Sequence, residues 1–107
     1  MARSTNFHPE ALLEYAEAVS YYLREASSPV AEEFAVAVES ALAGLVAAPS
    51  RWRIVEHPEI RRYVFTRFPF VLYYRWESKR DCVVIYAVMH CSREPGYWHR
   101  RIQGTGE

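Results

Sequence analysis

The chain has 107 residues, half of them hydrophobic and 15% aromatic, and its 13 lysines and arginines balance 13 aspartates and glutamates. That length suits one domain, and that apolar and aromatic content excludes a disordered tail. No run approaches the ~18 apolar residues needed to cross a bilayer, and the polar opening Met1 to Asn6 carries no apolar signal core, so a single cytoplasmic domain over residues 1–107 with no membrane partner is expected.

The first segment, Arg3 to Phe7, has room for a short edge strand, although its polar composition argues against one. His8-Pro9-Glu10 then opens a helix: proline is tolerated in the first turn, and a glutamate suits the positive helix end. Leu12, Tyr15, Ala16, Val19, Tyr22, Leu23 and Ala26 follow at helical spacing and predict one buried stripe. Ser27-Ser28-Pro29 breaks this helix and starts the next, with Ser28 as N-cap and Pro29 at the first helical position. The second stripe is Val30, Phe34, Val38, Leu42 and Leu45, supported by six alanines and ended by Pro49. So short a connection makes the two helices an antiparallel hairpin.

From Trp52 the period shifts toward two. Arg53-Ile54-Val55 reads as a short strand closed by His57-Pro58. Arg61 to Phe68 alternates, with Arg62, Val64 and Thr66 on one side and Tyr63, Phe65 and Arg67 on the other. Phe70 to Trp76 is β-branched and aromatic, residues 77–81 form a turn, and Cys82 to Met89 is a near-continuous apolar run suited to a central strand. Short turns join these strands into an antiparallel meander. Arg93 to Arg101 is a loop with a short helix around Tyr97-Trp98-His99. The fold class expected is α+β: a helical hairpin packed on a twisted, mainly antiparallel sheet of three to four strands, with a short C-terminal helix or tail.

Two cysteines nine apart, Cys82 and Cys91, make no disulfide framework and no CxxC pair. His90, Cys91 and His99 match no common zinc spacing, so no metal or other cofactor is expected. The balanced charge hides a division. Residues 1–50 hold two arginines and seven glutamates (2 − 7 = −5), whereas residues 51–107 hold eleven lysines and arginines against six acids (11 − 6 = +5). An acidic helical half and a basic strand half point to an anionic partner for the strands, nucleic acid or an acidic protein segment, or else to arginines that merely solvate a sheet.

Three local patterns sharpen this picture: Phe7-His8-Pro9-Glu10-Ala11; Arg67-Phe68-Pro69-Phe70 followed by Leu72-Tyr73-Tyr74; and Ala87 to His90 followed by Arg93, Pro95 and Trp98. In this order, over residues 7 to about 101, the chain resembles the RelE/ParE superfamily of toxins from type II toxin–antitoxin systems, in its plasmid-stabilisation, ParE-like branch. The resemblance implies growth inhibition and neutralisation by a cognate antitoxin, as a homodimer or a toxin–antitoxin hetero-oligomer. It implies one of two targets: DNA gyrase for ParE-like members, or messenger RNA cut on the ribosome for RelE-like members. Fold alone does not choose between them.

Metal-free RNA cleavage needs a base for the 2′-hydroxyl, cations for the phosphate and an acid for the leaving oxygen. His90 is the titratable candidate, with Arg93 and Arg67 on the phosphate; each has a structural alternative, as a hydrogen-bonding or ion-pairing residue. Arg61, Arg62, Arg75, Tyr73 and Trp98 are candidates for contact with nucleic acid or another target, and as core or solvated residues they would need no partner. The sequence departs from the RelE nucleases. Val71 stands where a catalytic arginine aligns, and the only lysine is Lys79. Gyrase inhibition is therefore the first expectation, with an mRNA endonuclease using His90 and Arg93, a non-toxic antitoxin-binding module, or an unrelated RNA-binding domain as alternatives. All of them suppose that the arginines share one ring-rich β-surface.

Overall fold

The computed structural model of the chain describes residues 3–104; Met1, Ala2 and residues 105–107, which the one-domain expectation also covers, lie outside the described residues. The elements are β1 (Ser4–Phe7), α1 (Pro9–Glu25), α2 (Ser28–Ala47), β2 (Ile54–Glu56), β3 (Ile60–Val64), β4 (Phe70–Glu77), β5 (Cys82–His90) and α3 (Arg100–Gly104). They form an α+β domain whose sheet has the order β1-β5-β4-β3-β2. β1 runs parallel to β5, and the other pairings are antiparallel. The sheet has five strands rather than three to four because the polar segment Ser4–Phe7 joins one edge and the short segment Ile54–Glu56 the other.

β1 forms despite its polar composition because an edge strand needs few anchors. Phe7 stacks on Tyr15 with ring centroids 6.1 Å apart. The amide of Asn6 donates to Cys82 Sγ at 3.1 Å, and Arg3 bridges to Asp81 at 2.7 Å. β5 thereby becomes an inner strand, as its apolar run predicts, and Cys82 to Met89 are all buried. A register shift between Tyr73 and Tyr74 pairs them with Ala87 and Ile85, leaving Tyr86 as the extra residue. Such a bulge re-aims side chains locally.

The helices pack on one face of the sheet around Phe34. Its ring lies within 5.0–6.3 Å of Tyr15, Tyr22, Phe65, Phe68 and Phe70. The cap of α2 falls one residue earlier than expected: Ser27 Oγ accepts the Val30 N–H at 3.3 Å, and Ser28 is already helical. α1 is turned relative to the predicted stripe. Ala11 and Ala18 are buried and Tyr15, Val19 and Tyr22 half-buried, whereas Leu12, Ala16, Leu23 and Ala26 are exposed.

The other face of the sheet is not open. The chain beyond β5 folds back over it, and Trp98, Ile60, Cys82, Val84, Tyr86 and Ala87 form a second core with Tyr73, Tyr97 and Ile102 at its margin. The expected helix around Tyr97-Trp98-His99 starts only at Arg100. Among the described residues, no helix is long and apolar enough to cross a membrane.

Candidate functional site

β5 ends at His90, which pairs with Phe70 of β4 and so lies on the hairpin side, its ring edge-on to Phe70 at 5.1 Å. The Cys91 N–H donates to Pro69 O at 2.8 Å, pinning this strand end to the β3–β4 turn. The Ser92 N–H reaches His90 Nδ1 at 3.0 Å, and Ser92 Oγ lies 2.8 Å from the same nitrogen. A backbone N–H only donates, so Nδ1 accepts and the neutral ring carries its proton on Nε2. His90 is exposed and offers that edge to solvent.

Arg93 lies beside it, its N–H donating to His90 O at 2.9 Å. Its exposed guanidinium stacks 3.8 Å above the ring of Tyr97, a cation–π contact. The Tyr97 hydroxyl donates to Glu14 Oε2 at 2.7 Å. Burial first, and then this bond to Glu14, push the Tyr97 phenol well above its ordinary range. Glu14 also accepts the Val88 N–H at 3.0 Å and takes both terminal nitrogens of the buried Arg101 guanidinium, at 2.8 and 3.1 Å. Arg101 in turn donates to Tyr86 O at 2.9 Å. The edge of β5 beyond β1 is thus closed by side chains, and the same contacts hold the platform on which Arg93 rests.

The predicted residues do not share one surface. Consecutive residues of a strand face opposite ways, so β3 sends Arg61 and Arg62 to different sides. Arg61 lies on the hairpin side, where its guanidinium donates to the carbonyls of Ser50 and Trp52; it ties down the loop before β2. Arg62 pairs with Tyr73 on the other face and is exposed. Arg75 lies on that face too, opposite Val84, with its buried Nε unpartnered. Tyr73 is stacked on Trp98 at 4.6 Å, and Trp98 is 1% exposed, so neither ring face in this contact is free for a base. Arg67 does not continue an alternating strand with Tyr63 and Phe65. β3 stops at Val64, and Arg67 stands in the turn with its Nη2 4.0 Å from Glu33 of α2.

Of the three residues singled out for catalysis, the structure brings together His90 and Arg93 and leaves Arg67 in the β3–β4 turn. Ser92, Tyr97, Glu14 and Arg101 complete the cluster. No local pattern marks them, because Glu14 and Arg101 lie 87 positions apart. Among the described residues, no group of three or more histidine, cysteine or acidic side chains is placed to hold a metal. The cluster has one hydrogen-bonding imidazole and, in Arg93, one guanidinium with no acidic partner among the described residues, suited to gripping a carboxylate, a carbonyl or a phosphate.

Residues 6–95 match the family model described as the ParE toxin of the type II toxin–antitoxin system parDE. No curated protein sequence matches the chain. Among solved structures, one from the chromosomal ParDE TA system of P. aeruginosa is similar at a TM-score of 0.70 and 16% identity, covering 83% of this chain and 96% of that one. A double mutant of the E. coli toxin RelE in the free state is similar at 0.65 and 17% identity, covering 98% and 99%. The isolated E. coli RelE toxin follows at 0.61 and 17%, covering 95% and 98%. At these identities the structural likeness speaks for the fold.

Proposed function

Because this chain belongs to the ParE toxin family of type II toxin–antitoxin systems, we propose that it halts growth by binding DNA gyrase and that a cognate antitoxin protein neutralises it. The observation that carries the choice of target is the Ser92 N–H on His90 Nδ1. It leaves the neutral imidazole with a donor, not a base, at its open edge. Arg67, the second phosphate ligand that cleavage would use, meets Glu33 of α2 instead. A donor imidazole beside a platform-held guanidinium suits recognition of a protein surface. In this reading His90 and Arg93 contact the target.

The nuclease reading has one observation in its favour: His90 and Arg93 are both exposed and adjacent. Induction of the chain alone separates the readings. Gyrase binding predicts growth arrest with relaxed plasmid DNA, intact transcripts, and loss of supercoiling by purified gyrase when the purified chain is added. Arg93→Glu should weaken that inhibition by at least about tenfold, in the range of a lost charged contact. New transcript ends that vanish with His90→Ala, with normal supercoiling, would establish the nuclease instead. Unimpaired growth would leave a module that only binds its antitoxin.

A further inference from the structure

A groove of about 520 Å3 runs between α2 and the β3–β4 turn, and neither His90 nor Arg93 lines it. Its floor is apolar, made by Val36, Ala37 and Phe68. Val36 is 67% exposed, more than any other bulky apolar side chain among the described residues. Val36 shares this concavity with Ala37 and Phe68, so a side chain entering the groove would cover all three. One wall is α2. Glu32, Val36 and Ser40 are spaced i, i+4, i+8, so this wall runs for about two helical turns, roughly 12 Å. That length accommodates about four residues of extended chain at ~3.3 Å each.

The charge of the groove says what it takes. Glu32 and Glu33 line the α2 side, and Arg67 stands opposite them. Arg67 Nη2 is 4.0 Å from Glu33 Oε1, with the two side chains 78% and 59% exposed. A pair so long and so solvated contributes little, so an incoming group displaces it at small cost. Two carboxylates against one guanidinium leave the groove acidic, within a helical half that is acidic overall.

We propose that this groove docks a short segment of a partner protein carrying a bulky aliphatic or aromatic side chain next to a lysine or arginine. The apolar side chain covers Val36, Ala37 and Phe68, the cation meets Glu32 and Glu33, and Arg67 turns to a carbonyl of the segment. A second copy of this chain, joined symmetrically through the same groove, would set these carboxylates against themselves. An acidic segment would be repelled here and attracted by the basic strand half. The groove therefore selects a basic heterologous partner and gives Arg67 a role outside any catalysis. This inference is independent of the gyrase reading.

The test is a titration of the isotope-labelled full chain, followed by backbone amide shifts, with acetylated and amidated Lys-Leu-Lys-Leu and with its Glu-Leu-Glu-Leu counterpart. The basic peptide should give saturable shifts confined to residues 29–40 and 66–68, with affinity at least about threefold above the acidic one, the scale of exposed ion pairs. Glu32→Lys combined with Glu33→Lys should invert that preference. Val36→Asp should abolish binding of both peptides with thermal unfolding unchanged. Equal affinity for the two peptides, shifts spread over the sheet, or no saturable binding would overturn the proposal. So would a dimer in sedimentation that Val36→Asp dissolves, which would make a second copy the occupant.

Discussion

A single carboxylate, that of Glu14, joins helix, strand and tail. It accepts hydrogen bonds from the Val88 N–H, the Tyr97 hydroxyl and both terminal nitrogens of Arg101. Arg101 is 7% exposed, and among the described residues its other acidic partner is Glu10 at 3.4 Å. A guanidinium this deep is tolerated because its charge and its donors are met together; removing one partner leaves the other uncompensated. Glu14→Ala should therefore destabilise the chain by about 3 kcal/mol in urea unfolding. Glu14→Gln, which keeps an acceptor but loses the charge, should cost about half as much. An effect of Glu14→Ala below about 0.5 kcal/mol, the size of an ordinary surface change, would show that Arg101 finds water instead. At this scale the sequence was least informative. His90 and Arg93 were legible because a polar residue ending an apolar strand stands out, whereas Glu14 looked like one more surface glutamate on an amphipathic helix.

The elements were more legible, and their failures are instructive. The apolar spacing found both helices, but it assigned one face to α1. That helix is wedged between α2 on one flank and the β5 edge with the tail on the other, so small Ala11 and Ala18 are buried where backbones approach closely, while Leu12 and Leu23 stay outside. The start of α1 carries a pH dependence. His8 caps it by accepting the Glu10 N–H on Nδ1 at 3.1 Å, which requires an unprotonated nitrogen. Burial, and then the Arg101 charge, hold the His8 pKa below its ordinary 6.5. The native state thus binds fewer protons than the unfolded chain just below that value, and stability rises with pH there. The contribution is complete above the unfolded pKa and is lost as pH falls through the lowered native one. His8→Asn keeps a capping oxygen that does not titrate. Its urea midpoint should fall less than that of the parent between about pH 7 and pH 5; parallel curves would mean that the cap survives protonation.

For the whole molecule, the sheet is covered on both sides, and β5 supplies both cores. Val83, Ile85 and Val88 face the hairpin core, and Cys82, Val84, Tyr86 and Ala87 face the tail. The bulge at Tyr86 allows two neighbouring residues to serve the same side. Trp98 is the largest side chain that the tail contributes and is fully buried against Tyr73. Trp98→Ala should destabilise by about 3–5 kcal/mol and lower a single cooperative unfolding transition as a whole, since one strand belongs to both cores. Two separate transitions in calorimetry would mean that the tail unfolds alone. The tail also divides the basic residues. It occupies the sheet face expected to meet a partner, so Arg62 lies at its margin, Arg75 is half-covered, and Arg61 and Arg67 belong to the hairpin side.

The order of elements, the helical hairpin, the inner position of the Cys82–Met89 run and the resemblance to a toxin family were all readable along the chain. These rest on periodicity, chain breakers and short motifs, all within a few residues of each other. Tertiary structure alone decided which way each arginine points, that the tail closes the second face, that Glu14 receives Arg101, and that Arg67 stands over an acidic groove. Each of these depends on where two distant segments come to lie. A side chain's role follows from the neighbour it meets, and for these residues that neighbour is set by how the whole chain packs.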